Sequence, residues 1–541
     1  MATTSSPAAT PVGSDQRRRR LPGRRPSAST GVAALVGVVS AGLALGVAQL
    51  VAALVRPEAA PVLAIGSAFI DRVPPWLKDT AVRLFGTSDK LVLLGSMALV
   101  IALLAALAGV AERWRRGAGL ALVVLFGAVA VGAAVTRAGA GPFDAAPSVL
   151  GFAVGGVALR LLVERLRAAD AAADRDTPEA GSPTRRAVLA LTAWVAVGAA
   201  AAAAAGRALG SAARSAVAAR SALRLPAPAT PASPVPAGVS NGVAGTTPYL
   251  TPNADFYRID TALTVPSIDP ATWSLRVHGL VEEEVEISFE ELLAMPMTEE
   301  RVTLTCVSNE VGGGLAGNAT WLGVPVAGVL ERARPQAGAD MVLSRSSDGF
   351  SASTPLGALT DPGRGALLAV GMNGEPLPLE HGFPVRMVVP GLYGFVSATK
   401  WVVDLEVTRF ADATAYWTTR GWSAEGPIKT ASRIDVPKGF AQVARGTVAV
   451  GGVAWAQTRG VRAVEVQVDD GPWQQAALAA EDGLDTWRQW SYAWDTSSVG
   501  AGPHTLRVRA TDGTGQVQTG ERAAPAPDGS TGWHSVSVTV Q

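Results

Sequence analysis

Residues 302–314 read VTLTCVSNEVGGG and include Cys306, the only cysteine in a chain of 541 residues. A strand-like run with period-two alternation leads into this cysteine, and a glycine-rich loop follows it. Glycines allow a backbone to approach a bulky ligand closely, and a thiolate is a soft ligand suited to a transition metal. A lone cysteine also occurs as a small buried hydrophobe. Residues 302–314 therefore predict a strand and a loop, with metal binding and simple burial as the two interpretations of the thiol.

The rest of the chain divides into two parts of different composition. Residues 31–206 are dominated by Ala, Val, Leu and Gly, whereas 11 of the 14 Trp and all four His lie beyond residue 270. The net charge of +1 gives no reason to expect a nucleic-acid partner. The composition predicts a membrane-embedded half followed by a globular half.

Segments of the first half are long and apolar enough to cross a hydrocarbon core, which takes about 20 helical residues. Buried helices of a soluble protein are the alternative, but so many such runs in one short region favour the membrane. We therefore expect a five-helix all-α transmembrane bundle over residues 31–206. Its predicted helices are 31–55, 91–111, 118–136, 147–163 and 187–206.

Basic residues predict how this bundle is oriented. Arginines are concentrated in the tail 1–30, the loop 112–116 and the loop 164–186. Because such loops stay on the cytoplasmic side, we expect a multi-pass protein of a bacterial cell membrane with a cytoplasmic N-terminus and an exported C-terminal half. An amphipathic piece at 76–85 is expected to lie on the membrane surface.

Two features of the bundle bear on export and electron transfer. Arg185 and Arg186 precede the last apolar run, as in a twin-arginine export signal, although ordinary positive-inside arginines look the same. No His precedes residue 278 and one Cys cannot form a Cys-x-x-Cys-His motif, so we expect no haem in this chain. The bundle is expected to be an anchor or a platform for a redox partner.

Beyond the bundle, the composition and the pattern of apolar residues predict three further parts. Residues 207–247 are rich in Pro and Ala and are expected to be an extended linker. Strand-like and helical stretches mix over 248–425, which predicts an α+β domain. Alternation alone, with hairpin signals, continues over 431–541 and predicts an all-β immunoglobulin-like sandwich.

Four motifs in the α+β part, in order and spacing, resemble the sulfite oxidase family of molybdopterin-dependent oxidoreductases. The stretch TCVSN around Cys306 resembles the family's cysteine loop, and 253–260 resembles the segment that wraps the cofactor. Residues 372–386 (MNGEPLPLEHGFPVR) and 397–401 (SATKW) resemble its pterin-binding loops. The resemblance covers roughly 248–425 and implies a sulfite oxidase-type molybdopterin domain carrying a molybdenum cofactor, with 431–541 as the dimerisation domain.

The resemblance also assigns roles to residues. It implies that the Cys306 sulfur binds molybdenum, that His381 and Arg386 contact the pterin, and that Trp422 or Tyr416 takes the place of an active-site tyrosine, with Arg420 nearby. The cofactor-binding residues implied are Asn253, Tyr257, Arg258, Asp260, Asn309, His381, Arg386, Ser397, Ala398 and Lys400.

The sequence departs from the family where sulfite oxidases place arginines around their anionic substrate. Ile259, Glu310 and Val311 stand at those positions, although Arg420 and Lys429 offer compensating charge. Three hypotheses follow: an exported enzyme of sulfite oxidase type transferring an oxygen atom to or from a small substrate, a reductase resembling the periplasmic methionine sulfoxide reductase, and a non-catalytic anchored binding module. We expect a separate electron carrier or membrane redox partner and a homodimer through the C-terminal domain.

Overall fold

The computed structural model describes residues 27–73, 89–137, 140–173, 184–209 and 211–541. These residues fall into two compact units. The first comprises the chain up to Ala48 with Gly95–Ala128 and Val149–Ala204, and the second comprises Gln49–Leu94, Val129–Ser148 and Ala205–Gln541. The predicted surface segment 76–85 and most of the basic tail lie outside the described residues.

Five helices in the described residues are long and apolar enough to cross a membrane. The helices of the N-terminal part are α1 (Ser27–Val55), α2 (Pro61–Arg72), α3 (Asp89–Trp114), α4 (Ala118–Val135), α5 (Ala146–Ala173), α6 (Arg185–Leu209) and α7 (Ser211–Ala222). All but α2 and α7 are the candidate spans, so the prediction of five apolar helices is confirmed.

The largest difference between a predicted and an observed boundary of the five apolar helices lies at the end of α5. Residues 164–173 were expected to belong to a loop, but α5 continues to Ala173. The hydropathy pattern ends where Glu164, Arg165 and Arg167 begin, yet these residues have good helix propensity, and the helix continues for about three more turns. The Asp170 carboxylate there pairs with Arg113 at 2.8 Å and Arg185 at 2.9 Å. Ion pairs therefore stabilise the last turns of α5, for which the hydropathy pattern gives no signal.

Small residues set the spacing of helices within the first unit. A Cβ atom placed on Gly37 of α1 would lie 2.0 Å from the Ala105 carbonyl oxygen of α3, and one on Gly109 would lie 2.0 Å from the Ala33 oxygen. A Cβ on Gly155 of α5 would come within 2.6 Å of Ala44 in α1. Such contacts are typical of apolar helices packed through small residues. The glycines explain why α1 lies directly against both neighbours.

Two sheets form the α+β part of the second unit. One sheet has the order β2-β1-β10-β5-β6 and the other has the order β3-β4-β7-β8, with β9 paired to β7. Short helices lie between the strands, and α8 begins with a capping box formed by Ser288 and Glu291. The elements are β1 (Ser274–Gly279), β2 (Val285–Ser288), α8 (Phe289–Ala294), β3 (Thr298–Thr305), β4 (Ala316–Pro325), α9 (Val326–Ala333), β5 (Met341–Ser346), β6 (Ser351–Pro355), α10 (Leu356–Thr360), β7 (Leu367–Met372), β8 (Glu375–Pro376), β9 (Arg386–Val388), α11 (Gly394–Ser397) and β10 (Val402–Thr408).

Two further sheets make up the C-terminal part. They have the orders β11-β13-β17-β16 and β12-β19-β18-β14-β15 and share one apolar core, which includes Trp490 and Val508. The strands are β11 (Ala431–Val436), β12 (Gln442–Val443), β13 (Thr447–Trp455), β14 (Val461–Val468), β15 (Gln474–Gln475), β16 (Ala477–Leu478), β17 (Arg488–Asp495), β18 (Gly502–Asp512) and β19 (His534–Val540). The alternation of the sequence thus produces an all-β region whose inward side chains form the core between two sheets.

The prediction of an extended linker over 207–247 was wrong for its first part, because α6 continues to Leu209 and α7 spans Ser211–Ala222 in a run rich in Ala and Arg, which favour helix. The segment also makes specific contacts within the second unit. Arg220 of α7 donates to the Leu377 carbonyl oxygen at 2.8 Å. Further along, Thr230 forms a bridge with Thr298 at the start of β3, and the Asn241 side-chain amide donates to the Trp490 carbonyl oxygen at 2.7 Å. Residues 223–247 are extended but attached at several points along the domain that follows.

Candidate cofactor and active site

Cys306 lies directly after β3, at the start of a closed loop. Its backbone N–H donates to the Leu315 carbonyl oxygen at 2.9 Å, and the Asn309 N–H donates to the Cys306 carbonyl oxygen at 3.1 Å. The Asn309 side chain completes the loop by accepting from the Leu315 N–H at 2.8 Å. The loop therefore has a fixed shape, and the buried thiol at its first position is held in one place.

The thiol opens into a cavity of about 820 Å³, open solvent included. Charged side chains and aromatic rings share its wall. Seven of the residues proposed from the sequence line it: Tyr257, Asp260, Cys306, Arg386, Ala398, Lys400 and Trp422. The fold thus collects residues that are up to 165 positions apart in the chain around one sulfur atom.

Arg386 supplies a buried positive charge at this cavity. It is 4 % exposed, and its Nη1 donates to the His381 carbonyl oxygen at 3.1 Å while the guanidinium lies 5.0 Å from the Trp321 ring centre. Burial lowers the pKa of Arg386 to about 10, and no ion pair with a carboxylate offsets that burial among the described residues. The guanidinium stays charged at neutral pH, so it is available to an anion.

Lys400 adds a second buried cation, which is partly neutralised. Its Nζ lies 3.1 Å from the Asp260 carboxylate and donates to the Glu380 carbonyl oxygen at 3.2 Å. Burial lowers the pKa of Lys400 to about 8, while Asp260 acts in the opposite direction. Arg258 pairs with the same carboxylate at 2.8 Å from a more exposed position. Asp260 thereby fixes the Lys400 amine at the edge of the cavity.

His381 lies behind Arg386 with one nitrogen unsatisfied. Its Nε2 is 3.2 Å from the Asn253 carbonyl oxygen, but Nδ1 is buried and has no hydrogen-bond partner among the described residues. Burial, followed by the nearby Arg386 charge, lowers the pKa of His381 to about 3. The imidazole is therefore neutral, and its free nitrogen is suited to receive a donor from a bound ligand.

A glycine is needed where the segments 372–386 and 397–401 come together. Gly382 has φ +113°, and a Cβ there would come within 2.9 Å of the Arg386 Cβ and 3.2 Å of Lys400. Only glycine combines this backbone conformation with that approach. The sequence HGFPVR therefore places Arg386 and Lys400 next to each other.

Some residues proposed from the sequence lie away from this cavity. The Asn253 side chain bonds to Asn373 at 2.8 Å, and the Ser397 hydroxyl donates to the Tyr393 carbonyl oxygen at 2.9 Å. Asn309 lines a different cavity. The side chains of Asn253, Asn309 and Ser397 therefore stabilise the loops near the thiol but do not face it.

Tyr416 and Arg420 also lie outside the lining of the cavity. The Arg420 guanidinium is 3.5 Å from the centre of the Tyr416 ring and donates to the Tyr416 carbonyl oxygen at 2.7 Å. The ring itself contacts Trp417 edge to face, with centroids 5.2 Å apart. Arg420 is thus occupied by its own neighbour, whereas Trp417 and Trp422 face the cavity.

Aromatic residues of the cavity were missed by reasoning from the sequence. Phe350, Phe395 and Trp417 line it together with Trp422. Phe395 and Trp422 are 6.0 Å apart, and Trp417 and Trp422 are 6.1 Å apart, measured between ring centroids. The only signal was the dense YWTTRGW run, which does not say which rings turn inward. Phe350 follows a hairpin turn after β5, and only the sheet pairing brings it to the site.

The donor set fits a molybdenum–pterin group. A pterin phosphate is an anion, and Arg386 is a buried cation without a carboxylate partner among the described residues. His381 does not line the cavity itself, but its unsatisfied nitrogen could accept a hydrogen bond from a heterocycle bound beside Arg386, and the Cys306 thiol would be a soft donor for the metal. The three requirements are met around one loop cluster.

Comparison with known proteins gives the same assignment. Residues 262–417 match the model of the "oxidoreductase molybdopterin binding domain" family. The mouse mitochondrial sulfite oxidase is 32 % identical over 348 residues, covering 54 % of this chain and 62 % of that protein. The uncharacterized oxidoreductase YuiH of Bacillus subtilis is 34 % identical over 158 residues, 29 % of this chain and 76 % of that protein.

One solved structure aligns with about half of this chain. The sulfane dehydrogenase SoxCD from Paracoccus pantotrophus aligns with a TM-score of 0.45 and 23 % identity, over 51 % of this chain and 75 % of that one. The chain spans about 62 % of the length of the mammalian sulfite oxidases it matches. The domain match and the coverage of the Bacillus protein establish that this chain belongs to the sulfite oxidase family of molybdopterin oxidoreductases.

Proposed function

We propose that the protein is a membrane-anchored, exported oxidoreductase that uses a molybdenum cofactor for two-electron oxygen-atom transfer on a small substrate. One observation carries the proposal: the Cys306 thiol shares a cavity with Arg386, a buried cation that no carboxylate neutralises among the described residues. A structural cysteine needs no such neighbour. A metal held to the sulfur with an anionic pterin tail needs both.

Each residue around the cavity has a defined part in this proposal. Arg386 binds the phosphate, and Lys400, fixed by Asp260, binds at the edge. Cys306 holds the metal, and the rings of Phe395 and Trp422 exclude water from its surroundings. When bound, the molybdenum–pterin group supplies the two-electron chemistry, and the protein supplies placement and electrostatics.

A reductase resembling the methionine sulfoxide reductase is the second candidate. Ile259 lines the cavity at a position where a sulfite oxidase would have an arginine. Of the two compensating cations, Arg420 stacks on Tyr416 and Lys429 pairs with Asp528 at 2.8 Å. A sulfite dianion would thus meet no uncommitted cation of this pair, whereas an uncharged sulfoxide requires none.

The wider organisation belongs to the same proposal. The five apolar helices anchor the enzyme, Arg185-Arg186 forms a twin-arginine signal, and the catalytic half is exported with its cofactor in place. The C-terminal part forms an immunoglobulin-like dimerisation domain. Electrons pass to or from a separate carrier or a membrane redox partner.

Molybdenum and pterin analysis of the full-length protein tests the proposal. The chain is expressed in a host that makes the cofactor, alongside Cys306→Ser. We expect about one molybdenum and one pterin per wild-type chain, and a Ser variant that keeps pterin but has an altered metal spectrum. Folded protein with neither molybdenum nor pterin would contradict the proposal. Turnover of sulfite against reoxidation of dye-reduced enzyme by methionine sulfoxide then separates the two candidates.

A further inference from the structure

Arg137 forms a link, within the second unit, between the segment that follows α4 and the wall of the thiol cavity. Its Nη2 donates to the Asp348 carbonyl oxygen at 3.0 Å, and its Nη1 donates to the Glu58 carbonyl oxygen at 3.3 Å. Asp348 lines the cavity that contains the Cys306 thiol. One guanidinium therefore connects two segments of the N-terminal part with the cavity wall.

The turn between β5 and β6 receives this contact. Ser346 and Phe350 of the turn line the cavity together with Asp348. The backbone N–H of Ser347, between them, donates to the Trp401 carbonyl oxygen at 2.9 Å. The turn is therefore attached on one side to a predicted pterin-binding loop and on the other side to the segment after α4.

The segments around Arg137 are those in which the apolar helices end. α4 ends at Val135, and Arg56, directly after α1, pairs with Asp144, shortly before α5, at 3.1 Å. A charged side chain just beyond the end of a spanning helix lies at the membrane–water interface. If these helices span the membrane as proposed, Arg137 holds the wall of the thiol cavity at the exported surface of the bilayer.

The short helix α2 fits the same position. Its apolar stretch Pro61–Ile70 is too short to cross a membrane, and its Phe69 side chain is 51 % exposed. A short apolar helix with an exposed aromatic ring is typical of a segment that lies in the interface. The Glu58 carbonyl oxygen that Arg137 binds belongs to the turn that leads into α2. The start of this helix and the cavity wall are thus bound by the same side chain.

The thiol cavity offers an apolar entrance with a few hydrogen-bond donors. Four large apolar side chains of its lining remain partly exposed: Ile259, Phe350, Trp417 and Trp422. The hydroxyls of Thr261 and Ser308 belong to the same lining, and a hydroxyl can donate to a carbonyl oxygen. Aromatic rings stack on a flat ring system. The lining therefore suits a flat, uncharged ring that carries carbonyl oxygens.

We infer that the electron carrier of this enzyme is a membrane-dissolved quinone, which enters the thiol cavity from the bilayer surface and exchanges electrons there with the bound group. The inference rests on the proposed function and names its redox partner. A substrate that gains an oxygen atom from water releases two electrons and two protons, and the quinone takes up both to become a quinol. A substrate that loses its oxygen uses the reverse sequence, in which quinol is oxidised and water is released.

Photocrosslinking locates the quinone without depending on turnover. The molybdenum-loaded, full-length protein in lipid nanodiscs is illuminated with an azido-naphthoquinone that carries an alkyl tail, and the labelled peptides are identified by mass spectrometry. We expect label in 346–350 and 417–422, and its loss with an excess of the same quinone without the azide. A tail-less azidoquinone should label at least about tenfold less at equal concentration, because each methylene of the tail adds to membrane partitioning.

Substitution of Arg137 tests whether its contact positions the entrance. Dye-reduced protein in nanodiscs is reoxidised either by the tailed quinone or by ferricyanide, which is soluble in water. We expect the ratio of the quinone rate to the ferricyanide rate to fall by about tenfold in Arg137→Ala, the scale of one hydrogen bond from a charged donor. The matched control is Arg72→Ala at the end of α2, whose guanidinium binds the Ala68 carbonyl oxygen of its own helix at 3.1 Å. The control should leave the ratio unchanged.

The outcomes separate this inference from the proposed function. With one molybdenum and one pterin per chain, crosslinks confined to the apolar helices, or crosslinks that persist in excess quinone, overturn the inference alone. Reoxidation by ferricyanide but not by the quinone also overturns it and assigns the electrons to a water-soluble carrier. Crosslinking of the wild-type chain decides the question even if Arg137→Ala does not fold. A chain without molybdenum and pterin overturns the proposed function on which the inference rests.

Discussion

Three charged side chains at the thiol cavity, Arg386, Lys400 and Asp260, determine what it can hold. Two buried cations face one carboxylate, which leaves one positive charge without a counter-ion. Burying such a charge costs several kcal/mol unless it is paired. A pterin phosphate would supply the missing partner. If the cofactor binds as proposed, we therefore expect it to relieve this charge and to make the fold more stable than the apoprotein.

The neutral state of His381 gives a pH dependence that can be measured. Its pKa is about 3 in the folded protein, against about 6.5 when unfolded. As the pH falls below 6.5, His381 is protonated in the unfolded chain but stays neutral in the folded protein. The free energy of unfolding therefore decreases. Between pH 6.5 and 5 we expect a loss of about 2 kcal/mol in the free energy of unfolding, measured on cofactor-free protein by tryptophan fluorescence in denaturant. His381→Gln should remove this part of the slope, whereas the part due to His534, whose pKa burial lowers to about 4, should remain.

His504 provides a control of opposite sign. Its hydrogen bond to Asp469, at 2.8 Å, raises its pKa in the folded protein. Its contribution is complete below pH 6.5 and is lost as the pH rises through the folded value. His504→Gln should therefore cost more stability at pH 5 than at pH 8. If the free energy of unfolding depends on pH in the same way in both variants, His381 is not held neutral in the folded protein.

At the scale of elements, the C-terminal sheets fasten the cysteine loop. Arg433 of β11 donates to the Gly313 carbonyl oxygen at 2.8 Å, and the Ser530 hydroxyl donates to the Asn309 carbonyl oxygen at 2.7 Å. His534 at the start of β19 packs on Gly312, where a Cβ would lie 2.1 Å from the imidazole. The position of the sulfur thus depends on strands more than 100 residues further along the chain.

Two glycines of that loop make a matched pair for testing this arrangement. Gly312 has φ +81° and no room for a Cβ, whereas a Cβ on Gly314 would meet nothing within 4 Å. Gly312→Ala should destabilise the protein by about 1–3 kcal/mol through backbone strain and the overlap with His534, and it should alter the spectrum of the bound metal. Gly314→Ala should change neither. Equal effects of both substitutions would mean that the loop is not constrained by β19.

The sequence predicted local elements well and spatial neighbours poorly. The strand before Cys306, the mixture of strands and short helices over 248–425, and the five apolar helices follow from periodicity and hydropathy, which are local properties. The motifs around 253–260, 372–386 and 397–401 predicted which loops matter. Neither pattern could predict that the Tyr416 ring would stack under Arg420 while Trp417 turned into the cavity, since that choice depends on packing between distant loops.

At the scale of the whole molecule, an exported domain that needs a cytoplasmic cofactor must cross the membrane after folding. The twin-arginine route carries folded proteins, and Arg185-Arg186 stands at the beginning of α6, the last apolar helix before the catalytic part. Arg185 also pairs with Asp170 at 2.9 Å. Two explanations therefore exist for Arg185 and Arg186. Their positive charge orients the helix during insertion, which lysine can do equally well, or an export system recognises the arginine pair itself, which lysine cannot replace.

Arg185→Lys with Arg186→Lys separates these explanations, because it keeps both positive charges but removes the arginine pair. An Asp470→Cys substitution, at a side chain 94 % exposed, reports the location of the C-terminal part through labelling of intact cells with a membrane-impermeant maleimide; Cys306 is buried and can stay in place. If export uses the twin-arginine route, we expect strong labelling in the Arg–Arg protein and at least about a tenfold loss in the Lys–Lys variant, with the uncleaved chain still present in the membrane fraction. Unchanged labelling would assign the arginines to charge-directed topology alone, and labelling restored only after cell lysis would place the variant's C-terminal part on the cytoplasmic side.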